Sequence, residues 1–201
     1  MGRRGIHRGS EGIPLGIVWI FSYLLYMQAL FVILGALAVL IPGLFIVSLF
    51  LPATVKVVRA RAIPASLAVV FDQVNILRNW EKWSPWHQLD PTMKLSYSEK
   101  DRGEGATYQW VSRHPKVGKG SLTITASRPY EHIAIEMRFI EGKTSTGYFR
   151  FAPSQAGTHV TWGIAMEMGK SPTSKILGLM LDKWIGKEFE RGLENLEKLV
   201  K

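Results

Sequence analysis

The chain has 201 residues, with 25 Lys+Arg against 16 Asp+Glu, a formal net charge of +9 and no cysteine. Disulfides, thiolate metal sites and cysteine nucleophiles are therefore excluded, and the length suits one core plus an appendage. The positive excess is spread along the chain and fits proximity to anionic lipid better than a nucleic-acid stripe; no RNA- or DNA-binding signature accompanies it.

Residues 13–51 contain no Asp, Glu, Lys or Arg. About 20 apolar residues suffice to cross a bilayer, so this run reads as a membrane anchor occupying residues 1–51. It is too long for the apolar core of a cleavable signal peptide and lacks a small-x-small site before a polar start. Its length admits two helices, yet residues 22–34 offer no Gly, Pro, Asn or charge for a turn. A single helix over about residues 29–51 would leave residues 13–28 tilted or in the interface, and Met27 offers an internal start. Pro42-Gly43 would then kink the helix. Arg3, Arg4 and Arg8 precede the run, and Lys56, Arg59 and Arg61 follow it. Basic residues on both flanks favour a hairpin in the cell membrane with both ends, and so the downstream domain, on the cytoplasmic side.

Downstream, residues 54–63 read as a strand ended by Pro64. Residues 65–71 and 75–80 read as two short helices. Trp80, Trp83 and Trp86 then crowd around Ser84-Pro85, a composition that suits a structured loop. Six strand-like stretches follow, over residues 93–100, 106–113, 120–127, 132–140, 144–152 and 157–168, each with period-two alternation. One face collects Leu95, Tyr97, Tyr108, Trp110, Ser112, Leu122, Ile124 and Ala126. It continues with Ile133, Ile135, Met137, Phe139, Phe149, Phe151, Val160, Trp162, Ile164, Met166 and Met168. Such alternation marks an antiparallel sheet with one dry and one wet face.

The last element is a helix over residues 171–201, with Ser171 as cap and Pro172 at the first position, where its missing N–H costs nothing. Leu177, Leu181, Ile185, Phe189, Leu193, Leu196 and Val200 share one face at 100° per residue; Lys183, Lys187, Glu190, Glu194 and Lys198 share the other. Gly178 and Gly192 lie on the buried arc, although glycine costs about 1 kcal/mol against alanine there. They read either as points of close approach to a sheet or as room for a ligand. The expected fold class is α+β, a curved antiparallel sheet around a long C-terminal helix, over residues 52–201.

Four pieces of sequence carry a family resemblance: Leu51-Pro52 entering the first strand; Trp83-Ser84-Pro85-Trp86 with Asp90-Pro91; Gly157-Thr158 with Thr161-Trp162; and Asp182-Lys183, Gly186-Lys187, Phe189-Glu190, Gly192-Leu193 and Asn195-Leu196 in the last helix. Over roughly residues 51–200 the chain resembles the membrane-anchored, polyketide cyclase/dehydrase-like branch of the START-like (SRPBCC) superfamily. The resemblance implies a helix-grip fold that holds a hydrophobic ligand between sheet and helix. Some members are cyclases or dehydratases, and others carry lipids or quinones.

The residues themselves show little reactive chemistry. His7, His87, His114, His132 and His159 are scattered without ligand spacing, so no metal site is expected. No Gly-x-Ser-x-Gly elbow, phosphate loop or dinucleotide fingerprint occurs; Gly118-Lys119-Gly120-Ser121 lacks the required preceding glycine. No cofactor and no catalytic residue are assigned. His87, beside the tryptophan loop, is the one histidine singled out and otherwise reads as a surface loop residue; Asp90 reads as a turn former; Asp182 and Glu188, at the edges of the buried helix face, read as ion-pair partners or solvent-facing carboxylates ahead of an acid or base of raised pKa. The inward strand faces are apolar or aromatic apart from Ser112, which weighs against an enzyme. Tyr97, Tyr108, Trp110, Met137, Phe139, Phe149, Trp162 and Met166, with Gly178, Leu181 and Ile185 of the helix, are the residues expected around a ligand. The expected function is membrane-anchored binding of a lipid, isoprenoid or quinone. The expected partners are membrane lipid and that small molecule, and no nucleic acid. A cyclase/dehydratase-like enzyme and an interaction module with a fully packed core are the alternatives.

Overall fold

A computed structural model of the chain describes residues 15–139, 142, 144–169 and 171–201. The expectations placed on Arg3, Arg4, His7 and Arg8 lie outside these residues. The chain divides into two compact units, with the boundary between Phe50 and Leu51.

The first unit contains α1, Leu15–Phe50, one helix of 36 residues with Pro42 inside it. From Tyr23 to Phe50 it is long and apolar enough to cross a membrane, with a mean hydropathy of 2.9 over its best window. At 1.5 Å per residue that span of 28 residues measures about 42 Å, longer than the roughly 30 Å hydrocarbon core. A bilayer would accommodate it by tilt or by protruding ends. Of the one or two helices the sequence admits, the described residues form one, because 22–34 hold nothing that stops a helix. The helix also starts well before residue 29.

The second unit begins with β1, Thr54–Ile63, and α2, Leu67–Asn75. Ser66 caps α2 by accepting a hydrogen bond from the Val69 N–H. A short 3-10 turn, Leu77–Asn79, leads into α3, Trp80–Trp83, and α4, Pro85–Leu89. The tryptophan segment is thus two short helices rather than the expected loop. Ser84 is extended, with ψ 128°, which breaks the run, and Pro85 restarts it at a first helical position. Six strands follow: β2, Lys94–Tyr97; β3, Thr107–Val111; β4, Lys119–Arg128; β5, His132–Phe139; β6, Thr144–Ser154; and β7, Gly157–Glu167. They join β1 in one antiparallel sheet ordered β1-β7-β6-β5-β4-β3-β2. The long helix α5, Pro172–Val200, completes a helix-grip fold.

Cross-strand pairs Ile124↔Ile135, Ile133↔Phe149 and Phe149↔Trp162 stack one inner face, and all five side chains are buried. A bulge between Ile124 and Ala126 shifts the β4 register, so Ser127 faces Ile133 and its hydroxyl donates to Asn75 Oδ1 at 2.8 Å. Ala126, expected inside, is displaced by that extra residue.

α5 departs from expectation at its start. The Ser171 hydroxyl lies 2.8 Å from that of Thr173 and makes no backbone cap. Phe189, Leu193 and Leu196 are buried, but Leu177 is 46% exposed, as are Leu179, Met180 and Trp184 at 50% or more. Only the second half of the helix therefore packs as a full apolar face. Charge and glycine fix its position over β1. Arg59 of β1 reaches Asp182 at 3.1 Å and Glu190 at 2.7 Å; Arg61 reaches Glu197 at 2.5 Å and Glu194 at 3.8 Å. Gly186 is where the Arg59 guanidinium crosses the helix, and any Cβ there would collide with it. At Gly178 a Cβ would come within 2.8 Å of the Val55 side chain, and at Gly192 within 2.8 Å of Trp162. Both glycines thus mark close helix–sheet approach.

Candidate functional site

Between α5 and the far side of the sheet the domain is not filled. A cavity of about 260 Å³ lies there. Trp80 of α3 and Trp86 and His87 of α4 close one side, with Met93 beside them. The sheet contributes Tyr108 and Trp110 from β3, Leu122 from β4, Ile135, Met137 and Phe139 from β5, Ser145 from β6, and Trp162, Ile164 and Met166 from β7. Lys116 and Val117 of the β3–β4 turn and Ile185 and Phe189 of α5 complete the wall.

The tryptophan helices are held in place from three sides. Trp80 Nε1 donates to Val74 O at 2.8 Å, and Trp83 Nε1 to Gln73 O at 3.0 Å. Asn195 of α5 donates from Nδ2 to Trp83 O at 3.1 Å and to Gln88 Oε1 at 3.0 Å. Trp86 meets Trp162 and Phe189 edge-on, with centroids 5.8 and 6.2 Å away, while Trp162 and Phe189 stack at 3.9 Å. These contacts turn the next residue, His87, toward Tyr108, ring to ring at 5.8 Å.

Three polar side chains of the wall are buried: His87, Tyr108 and Ser145. His87 is 8% exposed, and neither Nδ1 nor Nε2 has a hydrogen-bond partner. Burial pushes its pKa below the ordinary histidine value, opposed by the charge of Glu81. Burial likewise pushes the Tyr108 hydroxyl up, so it stays protonated at neutral pH. No carboxylate stands in the wall among the described residues, and no group of metal-ligating side chains occurs among them.

The sequence-expected residues divide by position. Tyr108, Trp110, Met137, Phe139, Trp162, Met166 and Ile185 line the cavity. Tyr97, Phe149, Gly178 and Leu181 do not. The Tyr97 hydroxyl donates to Glu81 at 2.5 Å and its ring lies 4.4 Å under Arg78, which holds it to one side. Phe149 is fully buried behind Trp80, Trp83 and Trp162. Gly178 abuts Val55 and Met168. Leu181 is half-buried one turn before the cavity-lining Ile185. The expected polar exception, Ser112, is already engaged: its hydroxyl donates to Asp90 and accepts from the His114 N–H at 2.9 Å. Ser112, and then Thr92, hold the Asp90 carboxyl below its ordinary pKa, so Asp90 is a structural tie. Asp182 pairs with Arg59, and Glu188 with Arg191 at 3.2 Å.

Sequence reasoning singled out His87 among the histidines but placed it on a surface loop, and that loop is a helix that faces inward. It missed Trp80, Trp86, Ser145, Ile164 and Phe189. Ile164 and Phe189 sat on faces already read as buried; the tryptophan spacing of three, 80-83-86, was the available signal of a helical turn.

Residues 54–201 match the family described as polyketide cyclase / dehydrase and lipid transport. No curated protein matches the chain. Among solved structures, a protein of unknown function from Staphylococcus aureus superposes with a TM-score of 0.57 at 13% identity, covering 73% of this chain and 93% of that one. An uncharacterised protein from Rhizobium leguminosarum gives 0.54 at 18%, covering 73% and 94%. A protein from Chromobacterium violaceum gives 0.53 at 16%, covering 74% and 98%. At these identities the likeness is one of fold.

Proposed function

This chain belongs to the polyketide cyclase/dehydrase and lipid transport family, and from that premise we propose that it binds a hydrophobic small molecule of lipid, isoprenoid or quinone type in the cavity beneath α5, while α1 tethers the domain to a bilayer. The observation that carries the reading is the cavity itself: about 260 Å³ of space with a wall of aromatic, aliphatic and methionine side chains. Ligand sites are mostly apolar with a few placed polar groups, and methionine adapts to irregular partners. A fully packed interaction module would leave no such space, since interiors close-pack.

Binding is favoured over acid–base chemistry by the wall's titratable groups. They are His87, Tyr108 and Lys116. General acid–base work needs groups tuned near the operating pH and placed to exchange protons. Here Tyr108 is pushed up by burial and His87 has no partner to orient it. Tethering suits the cargo, because apolar molecules concentrate in bilayers and a short linker keeps the binding site at high effective concentration there. Only residues 51–53 separate α1 from β1.

The test is titration of the full chain in lipid nanodiscs with an apolar fluorescent probe, against empty nanodiscs. Ser145 is buried in the wall, so Ser145→Phe occupies the cavity. Saturable uptake by the wild-type protein that falls at least tenfold in Ser145→Phe is the expected result. Equal uptake by both proteins contradicts the reading.

A further inference from the structure

We propose that the first half of α5 is a membrane contact of its own, and that its exposed apolar stripe lies in the headgroup layer of an anionic bilayer. The proposal rests on the reading of α1 as a tether and does not depend on which molecule the cavity holds.

Three observations carry it. First, α5 does not cover all of its own apolar residues. Phe189, Leu193 and Leu196 of the second half are buried, whereas Leu177, Met180 and Trp184 of the first half are 46%, 50% and 50% exposed. At i, i+3 and i+7 these three form one stripe. Apolar residues scattered singly over a surface need no explanation, but a clustered set marks a surface that meets a partner. Loose packing does not account for the exposure, because another side of the same turns is tightly seated. Gly178 abuts Val55 and Met168, and Arg59 holds Asp182 at 3.1 Å.

Second, the charge around the stripe suits lipid. Between Ser171 and Lys187 the chain carries Lys175, Lys183 and Lys187 against one acid, Asp182, and that acid is the partner of Arg59. Leucine, methionine and tryptophan on one side of a helix with lysines on another is the pattern of a helix lying in the plane of an interface. Its tryptophan sits at headgroup level and its lysines meet anionic lipid. A second copy of the chain docked on the same face would instead bring lysines against lysines.

Third, the path of the chain brings this surface close to the tether. Only residues 51–53 join α1 to β1, a link of about 10 Å when fully extended. The end of that link is stitched to the segment that enters α5: the Met168 N–H donates to Ala53 O at 2.7 Å. The first turns of α5 then pass over Val55, where Gly178 lets the helix approach. Trp184 is followed by Ile185, which lines the cavity, so the docked face adjoins the cavity wall.

The chain has no cysteine, so a single introduced cysteine carries a spin label at one known place. The full chain is labelled in turn at Leu37→Cys in α1, Met180→Cys and Trp184→Cys on the stripe, and Gln155→Cys in the β6–β7 turn. That turn lies at the far end of the sheet, beyond the Ile63↔Thr158 pair, about 30 Å along β1 from Thr54. Each protein is placed in nanodiscs of mixed phosphatidylcholine and phosphatidylglycerol. Collision of the label with oxygen, which concentrates in lipid, is compared with collision with a water-soluble nickel chelate. Labels at 37, 180 and 184 are expected to meet oxygen and lose the chelate, and the label at 155 to meet the chelate. Leaving out phosphatidylglycerol should raise chelate collision at 180 and 184; no change would overturn the part assigned to anionic lipid. Labels at 180 and 184 that meet the chelate as freely as the label at 155 overturn the docking, and with the label at 37 in lipid they leave the tether and the cavity readings intact. Labels at 180 and 184 shielded from both reagents mean that protein covers the stripe, which also overturns it. A label at 37 that meets the chelate overturns the tether reading together with the proposal.

Discussion

His87 loses its hydration in the folded domain and gains no protein partner, so the empty protein carries an uncompensated polar group. His87→Phe should therefore raise the stability of the ligand-free protein, by about 1–3 kcal/mol, in urea denaturation at pH 8. The same burial gives a pH dependence. The folded pKa of His87 is lowered, as is that of His132, where burial acts first and Arg150 and Arg128 add to it. Below about pH 6.5 the unfolded chain takes up protons that the folded chain refuses. Stability should thus be constant above that pH and fall as pH drops toward the folded values. His87→Phe should reduce the slope and leave the His132 part; an unchanged slope would show that His87 titrates as freely as in the unfolded chain. Gly178 answers the question of glycine on the buried arc. Its Cβ direction ends on Val55, so Gly178→Leu should overpack the helix–sheet contact and cost about 1–3 kcal/mol, despite the better helix propensity of leucine.

At the scale of elements, what repeats along the sequence was readable and what depends on a single residue was not. Strands β1 and β3 to β7 follow the period-two alternation, because each has a buried and a wet face. The β4 bulge interrupts that period by one residue, which sends Ala126 outward and Ser127 inward, and alternation carries no sign of it. The tryptophan segment looked irregular because Pro85 sits in it, yet proline at a first helical position starts a helix as readily as it ends one. This one misreading placed His87 on the surface and so hid a buried polar residue of the wall. Most of the aromatic wall was visible in advance, since Tyr108, Trp110, Phe139 and Trp162 project from the dry face, as was Ile185 of α5; the side closed by α3 and α4 was not. The pairing of β1 with α5 was half visible. Asp182 was read as an ion-pair partner, but Arg59 and Arg61 were read as membrane-flanking charges. The Arg59–Asp182 contact is bidentate, with Nη1–Oδ1 at 3.1 Å and Nη2–Oδ2 at 3.2 Å. Asp182 is largely exposed, so a double-mutant cycle with Arg59→Ala and Asp182→Ala should give a coupling of about 0.5–1 kcal/mol that shrinks in high salt. Zero coupling at low salt would mean the pair does not hold the helix.

The whole molecule joins an uncharged helix longer than a bilayer core to a domain with its own buried core. Expressed without residues 1–51, the remaining chain should be soluble and unfold cooperatively; loss of cooperative unfolding would mean that α1 is part of the fold. The central claim, that the domain holds a hydrophobic molecule, is tested most directly by what the protein carries from the membrane. Wild-type protein and Ser145→Phe are purified in parallel from the same membranes, extracted with organic solvent and compared by mass spectrometry. The expected result is an apolar molecule at close to one per wild-type chain and depleted in the variant. Identical extracts from the two proteins, holding only bulk membrane lipid in equal amounts, would contradict it.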